Sequence, residues 1–565
     1  MKISEIPYSR YDIENVKNAY KTAIKNIKNA ACADDVAAAR NELVKTLTEL
    51  KTAESIAFIR WSLNTADEFY ISEKKYYEDN YPSVFSISKE YSETLLNCPF
   101  RNDLEKIFPP TLFPLYEQSL ISENPEISDL CVKESAKSME YSDFMSSLCV
   151  DFNGENIPFT ILKKYMQSSD RSERKNAFAA LGIKMSENRE FLENNYLSLL
   201  KIRTEMGEKL GYDNYLGLGY ARMDRIAYGV EEVEKLRKNI VEFVVPAVKE
   251  MREVVAKDLG ITDLKLYDYS AVFNGDDVKP EKEGEDLLKC GLDLYSAMSG
   301  ETGEFFDFML KNEAIDFKSR KNKWGGGYQE DIPLYNQPFI LANFNGTTDD
   351  IDVLTHEAGH AFASYEMSKA GADKEIGLPF MDTAETHSMT MEFLCYKYID
   401  KVVGKDAARY KYKHFIDAFS FLCYGSAVDE FQTRVYKEKP ANGKDLNGIW
   451  LETEKKYRPF LSTAGMPYFE EGTRWQYQMH IYESPLYYID YVFAQITALN
   501  FLFLSEKDYD AAFEKYNSFI SLGANVDYLT ALKTVGMPSP LDESAIKTLA
   551  HNAIGYFYKL RSDIK

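Results

Sequence analysis

Two histidines four residues apart, with a glutamate after the first, carry the strongest chemical signal in the chain: His356-Glu357-Ala358-Gly359-His360. On a helix, four residues turn through about 400°, so both imidazoles share one face and reach a single ion. Glu357 lies one residue along, about 100° round the helix, beside that ion rather than on it. A carboxylate there can take the proton of a water activated by the metal. The chain has six histidines, and chance would produce this string in roughly one such chain in two hundred. Ile351, Val353 and Leu354 before it and Ala361, Phe362 and Ala363 after it keep helical spacing, with Asp349 or Asp350 available as a cap. The competing reading is a buried amphipathic helix with two satisfied histidines.

A catalytic zinc needs a third protein ligand and an open position. A third histidine in the pattern HExxHxxGxxH is excluded, because those positions hold Ala363 and Glu366. The other source is a glutamate on a following helix. Glu385 lies 25 residues after His360, in Asp382-Thr-Ala-Glu385-Thr-His-Ser388-Met389-Thr-Met-Glu392, with Gly371, Gly377 and Pro379 breaking the chain between. A helix–turn–helix would return the second helix alongside the first. Glu385 has two readings: third ligand, or capping-box residue behind an Asp382 cap. The upstream histidine pair, which needs a third donor, favours the ligand. Glu385, Ser388, Met389 and Glu392 share a face, so Glu392 either orients a ligating imidazole or is a solvated charge. His387 is about 200° from Glu385 and is left off the metal. His414 and His551 sit in no motif and read as surface residues.

The elements that must position these residues are mostly helical. Residues 12–31 and 34–76 show three- and four-residue apolar spacing, with Asp34 and Asp35 as starting caps for the second run. Asn153-Gly154 between short apolar runs predicts a hairpin at 150–159. Residues 170–260 read as helix, with a break near 211–219. The stretch 265–345 is less regular. In it, Trp324-Gly-Gly-Gly-Tyr328 reads as a mobile turn between strands in preference to a substrate-touching flap, and 338–344 as an edge strand to which a peptide could add. No GxxxxGK[ST] string is present. From 352 onward the chain is helical again, with breaks near 371–379, 437–447 and Pro467. Ser484-Pro485 predicts a helix start, with Tyr487, Tyr488 and Tyr491 following His480. Those groups could stabilise a developing oxyanion, although on residue types alone core packing claims most of the 40 tyrosines. The fold class expected is mainly α. A boundary near 200 is expected to divide a helical N-terminal region, 1–200, from a catalytic region, 201–565.

The 565 residues are 45% hydrophobic and 28% charged, enough for a large core. Acidic residues exceed basic ones by 89 − 67 = 22, which argues against binding nucleic acid or anionic lipid. Seven scattered cysteines without a CxxC pair suit a reducing compartment. The first residues lack an apolar leader, and 489–504 is too short and too polar to span a bilayer. A soluble cytoplasmic protein is expected, with no nucleic-acid or membrane partner, and monomeric with a dimer left open.

HEAGH, followed 25 residues on by Glu385-x-x-Ser388-x-x-x-Glu392, resembles the zinc metallopeptidases of the thimet oligopeptidase and oligoendopeptidase F family. Gly211-Tyr-Asp-Asn-Tyr215 with Arg222-Met-Asp-Arg225, and Phe152-Asn-Gly-Glu with 169–174, are similar to stretches of the oligoendopeptidase branch. His480-Ile-Tyr-Glu-Ser-Pro485-Leu-Tyr487-Tyr488-Ile-Asp-Tyr491 resembles the family's His…Pro-Phe-Tyr…Tyr segment, with Leu486 in place of Phe; Val353 stands where many members have Thr. The resemblance covers 150 to the end. It implies a zincin-like, two-lobed helical metallopeptidase with a small sheet beside the active-site helix and a deep substrate channel. It also implies one zinc held by His356, His360 and Glu385, Glu357 as general base, and His480 with Tyr487 and Tyr491 stabilising the oxyanion. Short unfolded peptides would be cut internally. An exopeptidase on a similar scaffold, such as a carboxypeptidase or peptidyl-dipeptidase, and a peptide-binding protein without catalysis are the alternatives. The purified protein should hold about one zinc per chain, measured by elemental analysis, and His356→Ala should lose it. A stoichiometric ion retained in that variant would remove His356 from the site.

Overall fold

A computed structural model describes residues 1–378 and 380–565; Pro379, one of the expected breaks, lies outside the described residues. Helices dominate, as the apolar spacing requires. The first, Ile13–Lys28, starts where the Asp12 carboxylate accepts the Glu14 amide. The second, Ala33–Leu63, ends earlier than expected. Residues 64–67 form a turn, and a third helix, Glu68–Asn80, restarts behind an Asp67 cap. The run 34–76 is therefore two helices, because the local cap at Asp67 competes with continued periodicity. These helices and those that follow to residue 116 enclose a core of their own, with Val16, Leu43, Tyr91, Leu95 and Leu104 at its centre.

The hairpin forms as expected. Strands β1 (Cys149–Phe152) and β2 (Glu155–Pro158) pair antiparallel, and Asn153 and Gly154 both take positive φ, as a tight two-residue turn demands. Most of the remaining chain shares a second, larger core. In it lies a three-stranded sheet in the order β3 (Ile315–Lys318), β5 (Gln337–Phe344), β4 (Tyr328–Ile332). Residues 338–344 are therefore not an edge strand. β5 is the central strand, parallel to β3 and antiparallel to β4, and its first six residues are buried. That burial explains its unbroken apolar run. The edges belong to β3 and β4, and the glycine run 325–327 lies between them in the chain.

Behind the sheet lie the helices that matter most for chemistry: a motif helix (Thr348–Lys369), a facing helix (Met381–Leu394) and a tyrosine helix (Tyr488–Ser505). Among the described helices, the tyrosine helix alone is long and apolar enough to cross a membrane, yet 67% of it is buried inside the protein. It begins at Tyr488 rather than Pro485, because Leu486 sits at φ 68, outside the helical region.

Arg203, fully buried, fixes the short helix Met479–Glu483 that carries His480. Its guanidinium donates to Glu134 Oε1 (2.7 Å) and to the carbonyls of Ile481 (3.2 Å) and Tyr482 (2.5 Å). Arg222 also donates to Glu134, at 2.8 Å. Glu134→Ala would strand a buried guanidinium, and the expected loss is about 3–5 kcal/mol in chemical denaturation. A loss below about 1 kcal/mol would show that the pair is not what holds this segment.

Candidate metal centre and active site

The motif helix follows directly from the central strand. The Asp350 carboxylate accepts the amides of Asn345 (2.9 Å) and Gly346 (2.7 Å), which pins the strand-to-helix turn. Asp350 thus folds back on the turn instead of capping the helix, whose N-cap position is Thr347. His356 and His360 emerge together, their rings 5.0 Å apart.

The facing helix is buried at every position from Asp382 to Leu394. It crosses the motif helix at Gly359, where an added Cβ would lie 2.7 Å from Ser388 Cα and 3.0 Å from the His387 carbonyl oxygen. Only glycine permits that approach. The crossing brings Glu385 Oε2 to 3.4 Å from His356 Nε2 and 3.6 Å from His360 Nε2. The three donor atoms all lie within 4.8 Å of one another. Donors bonded to one tetrahedral zinc at about 2.0–2.1 Å stand about 3.3 Å apart, so two imidazoles and a carboxylate at this spacing fit that ion. The capping alternative for Glu385 falls away. The N-cap position is Phe380, and the Asp382 carboxylate instead accepts from the Thr383 amide and the Tyr228 hydroxyl.

Behind the donors runs a chain of hydrogen bonds. His356 Nδ1 meets Glu392 Oε1 at 2.5 Å, and Glu392 Oε2 meets His414 Nε2 at 2.8 Å. His414 Nδ1 in turn meets the Tyr396 hydroxyl at 2.6 Å. Glu392 is therefore a buried, imidazole-orienting carboxylate and not a solvated charge. His414 is not a surface residue. It stacks on Tyr410 inside this network, which no local motif signals because its partners come from another helix. His551 is exposed, as expected, and His387 is buried against Phe519. Burial pushes both acids up, but hydrogen bonds from histidine outweigh it and hold Glu385 and Glu392 at about 2. Burial likewise disfavours charged His356, yet the two carboxylates raise its pKa well above the usual value, while burial lowers His360 to about 4.

On the opposite side, the Tyr487 hydroxyl donates to Glu385 Oε1 at 2.7 Å, and Ser388 Oγ donates to Oε2 at 3.1 Å. Tyr491 lies beside Tyr487, ring centres 4.8 Å apart, and His480 is 5.8 Å from both rings. Tyr488 is buried and packs on Phe421 and Tyr424. The three side chains expected at the oxyanion thus gather around Glu385, with Tyr487 engaged to it. Arg225 donates to the Leu486 carbonyl and to Asp490, fixing the turn before Tyr487.

Glu357 is half-buried, and desolvation pushes its carboxyl up to about 7. A cation beside it would draw that value down. The glycine run reaches the same point: a Cβ built on Gly327 would lie 3.9 Å from Glu357 Oε1. The turn is thus a connector that also borders the site.

Known proteins agree with this architecture. The model of peptidase family M3 matches residues 164–551, and that of the peptidase M3 N-terminal domain matches residues 3–122. Group B oligopeptidase PepB of Streptococcus agalactiae is 24% identical over 397 residues, covering 66% of this chain and 64% of its own. Oligopeptidase PepF of Bacillus subtilis is 23% identical over 465 residues, covering 75% and 66%. The chain thus spans just under two thirds of the length of these curated relatives. A solved structure of PZ peptidase A with inhibitor 2 is 34% identical, covers 99% of both chains and superposes with a TM-score of 0.93.

Two substitutions separate the helix crossing from the donor. Gly359→Val forces the helices apart and should destabilise the fold by about 1–3 kcal/mol while weakening zinc binding. Glu385→Gln should leave the melting temperature of the metal-free protein nearly unchanged and weaken zinc binding at least as much. Unchanged zinc affinity in Glu385→Gln would remove Glu385 from the donor set.

Proposed function

The chain belongs to peptidase family M3, and from that premise we propose that it is a zinc-dependent endopeptidase that hydrolyses short oligopeptides. The observation that carries this reading is the convergence of His356, His360 and Glu385 on one point, with Glu357 beside it. These three residues would hold the zinc, one ion per chain. Zinc, when bound, makes water a nucleophile near neutral pH and polarises a carbonyl oxygen. Glu357 accepts the proton of the attacking water and delivers it to the amine that leaves. Glu392, backed by His414, keeps the His356 ring oriented so that Nε2 faces the donor cluster. Tyr487 and Ser388 hold the Glu385 carboxylate in the same way. Tyr491 and His480 remain to donate to the developing oxyanion.

Internal cleavage is favoured over terminal cleavage by the arginines. An exopeptidase needs a fixed cation for a terminal carboxylate. Arg222 is paired with Glu134, Arg225 with Asp490 and Arg474 with Glu454. Substrates are short unfolded peptides, and the net charge of −22 disfavours nucleic acid. All seven cysteines are free, which suits the cytoplasm.

Glu357→Gln should retain zinc and bind peptide normally while kcat falls by about 10²–10⁴-fold or more. Peptides with both ends blocked should be cut within about threefold of their free-ended counterparts, well inside the ~tenfold that a lost charge contact costs. Cleavage by Glu357→Gln within ~tenfold of the parent would overturn the general-base role. An absolute need for a free terminus would convert the reading to an exopeptidase.

A further inference from the structure

A cavity of about 190 Å³ lies at the far end of β4, and nothing in the proposed chemistry uses it. Its walls are apolar for the most part: Ile332, Pro333, Met367, Ala372 and Leu378. Its position is set by the motif helix. His356, His360, Ser364 and Ser368 follow at four-residue steps, each about 40° round the helix from the last, so they form a slowly winding stripe. Ser364, Met367 and Ser368 line the cavity, four to eight residues beyond His360, or about 6–12 Å. β4 runs beside this stripe. Gly327, just before it, borders Glu357, and Asp331, near its end, accepts from Ser364 Oγ. One side of β4 pairs with β5, and among the described residues no strand pairs with the other.

We propose that this cavity is a side-chain subsite for the peptide substrate, taking one large apolar side chain three or four residues from the bond that is cut. An extended peptide added to the strand-unpaired edge of β4, beside the helix Ala33–Leu63 whose Ser55 and Ser62 bond Glu330 and Tyr328, advances about 3.3 Å per residue. Three or four residues therefore carry it from the donor cluster to the cavity. A second observation points to a ligand. Gln337 lines the cavity and is only 3% exposed, yet among the described residues its Nε2 has no hydrogen-bond partner. A buried amide left unpaired is costly, and a peptide carbonyl entering here would accept from it. Lys374 donates to the Pro333 carbonyl and Asn336 Oδ1, and the two carboxylates Asp331 and Asp373 line the same cavity, so its walls carry more acid than base and do not favour a chain-terminal carboxylate. The ligand is thus an apolar side chain carried on a peptide backbone, not a chain terminus.

The inference rests on the peptidase reading, and its test separates the two. Dissociation constants are measured on the Glu357→Gln chain for fluorescent peptides carrying Leu, Phe or Gly at each position in turn, and turnover of the same peptides is measured on the parent chain. One position three or four residues from the cleaved bond should favour Leu or Phe over Gly by roughly tenfold or more. Ala372→Trp and Ser368→Trp each fill the cavity and should bring that ratio to within about twofold of one. A benzophenone-bearing residue at the same position should label Met367 or Leu378 on irradiation, mapped by mass spectrometry, which keeps the test independent of whether the tryptophan variants fold. No preference at any position, a preference that survives both variants, or labelling elsewhere would overturn the subsite. Discriminating binding without turnover by the parent would leave the subsite standing and overturn the peptidase reading. Turnover without discrimination would do the reverse.

Discussion

Everything at the centre depends on how closely two helices approach at Gly359. Helices separated by ordinary side chains keep their axes about 8–10 Å apart. Here a single missing Cβ lets the motif helix press on the backbone of the facing helix at Ser388. That approach sets the distance from the histidine pair to Glu385. Metal–donor distances tolerate only about 0.2 Å, so the crossing must be rigid as well as close. Rigidity comes from burial. The facing helix has no solvent side, and the Tyr516 hydroxyl donates to its His387 carbonyl at 2.8 Å.

Such burial sets an electrostatic problem, because five ionisable groups stand within the donor network. Each carboxylate solves it by accepting several hydrogen bonds. Glu385 accepts from Tyr487 and Ser388, and Glu392 bridges two imidazoles. A parallel device lies about one turn earlier on the facing helix. Asp382 on that helix and Asp490 on the tyrosine helix share the Tyr228 hydroxyl, and Arg225 donates to Asp490. Burial raises both carboxyls, and the guanidinium pulls against it. The facing helix, which carries Glu385, and the tyrosine helix, whose N-cap residue is Tyr487, are thereby joined through a polar contact.

Local chemistry was legible in the sequence and tertiary arrangement was not. The His356–His360 pair, the helix that carries it and the Asn153-Gly154 turn follow from spacing and backbone preference alone. The order of the three strands does not, since an unbroken apolar run such as 337–344 says that a strand is buried but not between which neighbours. His414 escaped notice because Glu392, which explains it, lies 22 residues earlier on a different helix. Leu486 was invisible for another reason: a bulky residue rarely takes positive φ, and here the Gln432 side chain and Arg225 hold it there through its amide and carbonyl.

One contact between the two lobes bears on the order of assembly. Arg40, in the N-terminal lobe, reaches across 333 positions to Asp373 and also pairs with Glu375, whose other oxygen accepts from Tyr116. Those acids lie in the segment that joins the motif helix to the facing helix. During synthesis from the N-terminus, the core formed by residues 13–116 is complete long before residue 385 is made, and domains fold in that order. The early lobe then acts as a template on which the late segment settles. That segment joins His360 to Glu385, so its docking bears on when the three candidate donors come together. On that order, the newborn chain carries a finished N-terminal core while its candidate donors are still apart.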